Sequence, residues 1–70
     1  MRLTYDEDAD AAYIYLKEFI KDGEVKRTQR VSTDIALDFD DKGRMLGIEV
    51  LSARKLLEKK LLLDAEPLHA

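Results

Sequence analysis

The stretch Asp34–Leu51, D-I-A-L-D-F-D-D-K-G-R-M-L-G-I-E-V-L, admits two readings, and choosing between them sets the fold. Apolar residues alternate with polar or small ones on both sides of Asp40–Arg44, the period-two pattern of half-buried strands. That pattern predicts a β-hairpin. Counted from Asp38, however, the same residues approach a calcium loop, with Asp38, Asp40, Gly43 and Glu49 at positions one, three, six and twelve. Lys42 breaks the series at position five, where its ammonium stands in place of an oxygen ligand. The flanks alternate rather than following a helical period, so the hairpin reading is preferred. Pairing Asp40 with Met45 across Asp41–Arg44 sets Phe39 against Leu46, Leu37 against Ile48 and Ile35 against Val50. A three-residue loop would set these apolar residues against Gly47 and Glu49, so the longer loop is expected. Gly43 takes the left-handed conformation in that loop, and Ala36, Asp38, Gly47 and Glu49 fall on the opposite face.

Toward the N-terminus, Arg2–Tyr5 reads as a short strand, interrupted by Asp6-Glu7-Asp8-Ala9-Asp10. Ala12–Ile20 follows as a second strand rich in Tyr13, Ile14, Tyr15 and Phe19. Asp22-Gly23 suits a type I′ hairpin turn. It would set Lys21 opposite Glu24, Ile20 opposite Val25, Glu18 opposite Arg27, Ile14 opposite Val31, and Tyr15 opposite Arg30 in a cation–π contact. On the C-terminal side, Ser52 is placed to cap a helix over Ala53–Leu63, with Ala53, Leu56, Leu57, Lys60 and Leu61 at helical spacing. Arg54 and Lys55 in its first turn oppose the helix dipole, so packing rather than charge is expected to hold it. Asp64–Ala70, containing Pro67, reads as a flexible tail.

The expected fold class is α+β, an antiparallel meander of about five strands with one C-terminal helix on one face. Residues 1–63 form one domain, since 70 residues rarely divide further. A chain this short buries only about 60% of its unfolded surface, and it has no cysteine to staple it. Small unstapled domains often gain stability by oligomerising, so a homodimer is expected. A net charge of −3 gives no field to gather nucleic acid, and the basic residues at Lys26, Arg27 and Arg30 and at Arg54, Lys55, Lys59 and Lys60 read as solvated faces. No apolar run is long enough for a signal peptide or a membrane span, which makes the cytoplasm the expected compartment.

Catalytic arrangements are sparse. His69 lies in the expected tail, and Ser32 and Ser52 lack a neighbouring base or a nucleophile-elbow pattern. No phosphate-cradling glycine loop is present, so no catalytic residue and no cofactor is expected. The strongest metal alternative is a weak divalent site, serving binding or hydrolysis, built from Asp6, Asp8 and Asp10. Ala11 stands there where a calcium loop needs glycine, so solvated turn residues are the preferred reading. The aromatic face of the second strand is more informative. Tyr13, Tyr15 and Phe19 would share one side of it and meet the small residues Ala36 and Gly47. With Leu62 and Leu63, which exceed what one helix face buries, they are the expected interface residues.

The segments Y-D-E-D-A-D-A-A-Y-I-Y-L at Tyr5–Leu16 and Asp34–Leu51 together resemble a family of short prokaryotic proteins, domain of unknown function 2283. The likeness runs to about Leu57. It implies no activity, cofactor or catalytic residue, and it implies structural roles for Asp6, Asp10, Asp38, Asp40, Gly43, Gly47 and Glu49. Some members are thought to be encoded beside toxin-like proteins, which would imply an antitoxin-like binder of a protein partner.

Overall fold

A computed structural model of the chain describes residues 1–67, in which strands β1 (Arg2–Asp6), β2 (Ala11–Tyr15), β3 (Arg27–Arg30), β4 (Ile35–Phe39) and β5 (Met45–Leu51) precede two short helices, α1 (Ala53–Leu56) and α2 (Lys59–Asp64), and a two-residue strand β6 (Glu66–Pro67). The fold is α+β. The strands form one sheet in the order β3-β4-β5-β2-β1-β6, antiparallel except where β6 runs parallel to β1. No helix among the described residues is long and apolar enough to cross a membrane.

The central hairpin forms as expected, but by a different route. Asp40 N–H donates to Arg44 C=O, so the turn closes around the three residues Asp41, Lys42 and Gly43, with Gly43 at φ 77°. That short loop would have set the apolar residues out of phase. The chain corrects the phase with a bulge: Phe39 pairs with Met45, while Asp38 pairs with Gly47, so Leu46 is the extra residue on β5. Beyond it, Leu37 faces Ile48 and Ile35 faces Val50, as the apolar pattern demands.

The second expected hairpin does not form. Strand β2 stops at Tyr15, short of Ile20, and its two edges are taken by β1 and β5. A turn does close at Lys21–Glu24, but only Gly23 has positive φ there, whereas a type I′ turn needs positive φ at both central residues. The physical reason lies in what each partner offers. Pairing with β5 sets Ile14 beside Ile48 and Ala12 beside the buried Val50, and burial of those groups outweighs the exposed charge pairs and the Ile20–Val25 and Ile14–Val31 contacts of the local hairpin, whose valines stay exposed. Strand β3, R-T-Q-R, instead forms the exposed outer edge beside β4.

The single long helix is also corrected. Leu57 (φ −117°, ψ 149°) and Glu58 (φ −61°, ψ 141°) are extended and divide it into α1 and α2. Residues five apart stand about 140° apart around a straight helix. Leu57 and Leu62 both pack on the cluster of Ala12, Val50 and Ala53, which one straight helix could not arrange. Of the expected tail, Asp64 closes α2 and Glu66–Pro67 pairs with Thr4–Tyr5. The reading of 68–70, with His69, falls outside the described residues.

Candidate functional site

Because side chains alternate along strands, the register divides the sheet into two chemically distinct faces. On one, Leu3, Ile14 and Ile48 pack with Tyr5, Leu57 and Leu62 around the buried trio Ala12, Val50 and Ala53. Ile35, Leu37 and Phe39 continue that face across β4, outside this cluster and only half-buried. Among the described residues, no large side chain is fully buried.

The opposite face is a polar and aromatic ladder. Tyr13 and Tyr15 meet edge to face, with ring centroids 4.8 Å apart. The Tyr13 hydroxyl donates to Asp38 Oδ2 at 2.6 Å, and Thr28 Oγ1 donates to Asp38 Oδ1 at 2.5 Å. Burial, reinforced by that carboxylate, pushes the Tyr13 hydroxyl well above its ordinary pKa. The Tyr13 ring lies directly over Gly47: a Cβ there would stand 2.5 Å from its Cζ and Cε2. The anticipated meeting of aromatic rings with small residues is therefore realised at Gly47. The cation on Tyr15 is not Arg30 but Arg2, whose guanidinium carbon lies 4.1 Å from the ring centroid. Arg30 instead lies 3.5 Å from Glu49.

The expected interface residues do not form one patch. Tyr13 and Tyr15 occupy the ladder face, while Leu62 packs on the apolar cluster behind the sheet. Leu63, its neighbour, is 73% exposed. Phe19 is 65% exposed and lies beyond the end of β2, in the segment that carries the chain to β3. Ile20 and Val25 from this segment border a shallow cleft with Tyr13 and Tyr15.

The acidic turns are occupied by their own backbone and neighbours. Asp6 Oδ1 accepts from Asp8 N–H and Ala9 N–H at 3.1 and 3.2 Å. Asp40 Oδ1 accepts from Lys42 N–H and Arg44 N–H, both at 2.9 Å, and Arg44 Nε donates to Oδ2 at 2.8 Å. The Arg44 backbone bond is the main force holding the Asp40 carboxyl below its usual pKa. No three His, Cys, Asp or Glu side chains converge to hold a metal ion among the described residues.

Asp10 has the role that reading along the chain overlooked. It adopts φ 51°, accepts the Tyr5 hydroxyl at 2.8 Å, and reaches across the fold to the start of α1. Its carbonyl accepts Ala53 N–H and its Oδ1 accepts Arg54 N–H, each at 3.0 Å. Ser52, the expected cap, makes no such bond; it sits at φ 52° and its hydroxyl donates to Asp34 at 3.3 Å. The Tyr5 hydroxyl, followed by the Arg54 contacts, holds the Asp10 carboxyl below its usual pKa. The only signal in the sequence was a tyrosine five residues before an aspartate in a turn, a pattern with many other uses. Between that turn and α2 lies a cleft of roughly 780 Å³, with Tyr5, Leu62 and Leu63 beside Asp6, Arg54 and Lys59.

These features coincide with a known sequence family. The family described as protein of unknown function (DUF2283) matches this chain over residues 2–54. The chain belongs to that family. Searches of curated proteins and of solved structures return no match. The DUF2283 segment contains β1–β5 and ends at Arg54, the residue that Asp10 holds. Every Asp and Gly that the family likeness marks as structural has a place here. Asp6, Asp40 and Gly43 shape turns, Asp10 anchors α1, Asp38 receives Tyr13, and Gly47 makes room for its ring.

Proposed function

We propose that this DUF2283 chain is a small protein-interaction module that works as a homodimer and presents its ladder face to a protein partner. One observation carries the reading: Ile35, Leu37 and Phe39 share the apolar face of the sheet but lie outside the cluster that Leu57 and Leu62 of the C-terminal segment cover, with the Arg27 guanidinium 4.1 Å over the Phe39 ring. A second copy covering the β4 side of this face would complete the core. The dimer would then offer Tyr13, Tyr15 and the exposed Phe19 to a different protein, as an antitoxin-like binder would.

Sedimentation equilibrium tests the dimer. A two-chain species at micromolar concentration is expected, and Leu37→Lys is expected to give a folded monomer. A wild-type chain that stays monomeric to high micromolar concentration refutes the reading. For the protein partner, capture from the native cell should depend on Phe19; equal capture by Phe19→Ala removes that residue from the interface.

A further inference from the structure

The break at Leu57–Glu58 is the place where the backbone departs furthest from its own sequence. From Ala53 to Leu63 the chain reads A-R-K-L-L-E-K-K-L-L-L, composed wholly of strong helix formers without Gly or Pro. Yet Leu57 and Glu58 are extended, and each of the two resulting helices is too short to persist unaided. What holds the break is the seat of the segment beyond it. Leu62 rests on the Ala12, Val50 and Ala53 cluster, Glu66 and Pro67 pair with Thr4 and Tyr5, and Glu66 meets Arg2 Nε at 2.7 Å. That seat is slight: α2 has no fully buried side chain, and β6 contributes two residues to the sheet.

We propose that Leu57–Glu58 is a hinge at which α1 and α2 fuse into one helix, carrying α2 and β6 into the corresponding seat on a second copy. The occupant of each seat, at the β1 edge of the sheet, is thus the α2–β6 segment of the other chain, an exchange that adds to the contact over the β4 side. This rests on the homodimer reading and names the element that is exchanged. Every contact that Leu62, Glu66 and Pro67 make within one chain is remade between chains, so those contacts cancel in the comparison. The remaining difference is at the hinge itself, where Leu57 and Glu58 gain helical hydrogen bonds and Leu57 must re-seat against Ala12, Val50 and Ala53. Against it stands the entropy of association, which makes the exchange depend on concentration. A fused helix over Ala53–Asp64 would be about 18 Å long, enough to carry the exchanged segment clear of its own sheet.

The hinge can be locked without disturbing the closed form. Glu58 at φ −61° already has the angle that proline requires, and Leu57 is extended, as the residue before proline prefers. Glu58→Pro therefore fits the broken helix and is incompatible with the fused one. The expected result by sedimentation equilibrium is that Glu58→Pro keeps the wild-type circular dichroism while its dimer weakens by about a hundredfold or more. Glu58→Ala, which leaves the hinge free, is expected to dimerise at least as well as the wild type. Exchange can also be trapped directly, because the chain has no cysteine of its own. Thr4 and Glu66 are neighbours on adjacent strands, so a Thr4→Cys chain and a Glu66→Cys chain, refolded together, should form a disulfide-linked heterodimer. A wild-type dimer that Glu58→Pro leaves equally tight, or a mixture of the two cysteine variants that forms no disulfide between chains, overturns the exchange and leaves the homodimer reading standing. A wild type that is monomeric throughout overturns both.

Discussion

Replacing Gly47 by alanine should cost this protein a large share of its stability. The methyl group would enter the space of the Tyr13 ring, 2.5 Å from Cζ and Cε2, so the ring must move. Moving it strains or breaks the 2.6 Å bond from the Tyr13 hydroxyl to Asp38 and the edge-to-face contact with Tyr15. Overpacking of this kind costs about 1–3 kcal/mol, and a half-exposed hydrogen bond to a carboxylate adds about 1 kcal/mol. The sum is about 2–4 kcal/mol. A chain of 70 residues has only about 4–10 kcal/mol in total. The melting temperature should therefore fall by about 10–25 °C, read by circular dichroism and by the tyrosine signal. A double-mutant cycle isolates the cause. Tyr13→Ala removes the obstacle, so Gly47→Ala should be nearly harmless in that background, which makes the coupling energy about 2–4 kcal/mol. A Gly47→Ala protein that melts within 2 °C of the wild type (about the scatter between surface variants), or strictly additive effects in the cycle, would refute the argument.

Stability should also respond to pH at both ends of the scale. Asp10 and Asp40 have folded pKa values below their unfolded ones, so the stability they contribute is present above the ordinary carboxylate range and is lost as pH falls through the folded values. Asp10→Asn and Asp40→Asn should flatten the acid limb of the stability profile below about pH 4; an unchanged slope in both would count against their roles. Tyr13 is shifted the other way, so its contribution is present below the unfolded tyrosine value and fades as pH climbs through and beyond it. Tyr13→Phe should therefore be less stable than the wild type at neutral pH and lose less above about pH 10, measured by urea titration at each pH.

The α+β class, the central hairpin and the ring-on-glycine contact could be read from the chain, because local alternation and residue size decide them. Leu37 had to meet Ile48 whatever loop joined their strands, and the fold inserted Leu46 as a bulge to allow it. The choice of neighbour for β2 could not be read that way. Asp22-Gly23 offers a local hairpin, and its loss depends on Ile48 and Val50, more than thirty residues beyond Ile14 and Ala12, taking the same strand edge. Helix propensity misled over Ala53–Leu63 for a similar reason, since the sheet, not the helix, determines where Leu62 must lie. Asp10 was visible only as a turn residue, because its partners at Ala53 and Arg54 are 43 and 44 positions away.

The bonds from Asp10 to Ala53 and Arg54 also constrain the order in which the molecule can assemble. A four-residue helix has almost no stability alone, and the acceptors that begin α1 belong to a turn at the other end of the chain. The β4–β5 hairpin needs only nearby residues and can form early. Strand β2 must then dock beside β5 to bring Ala11 to Leu51, and only after that does Asp10 stand where α1 can start. A nascent chain leaving the ribosome would thus hold most of its sheet residues while still lacking a closed fold. Closure would come as a late, cooperative event in which the first turn of the protein fastens the last part of the family segment, and the loss of Asp10 would be felt as faster opening of the C-terminal end.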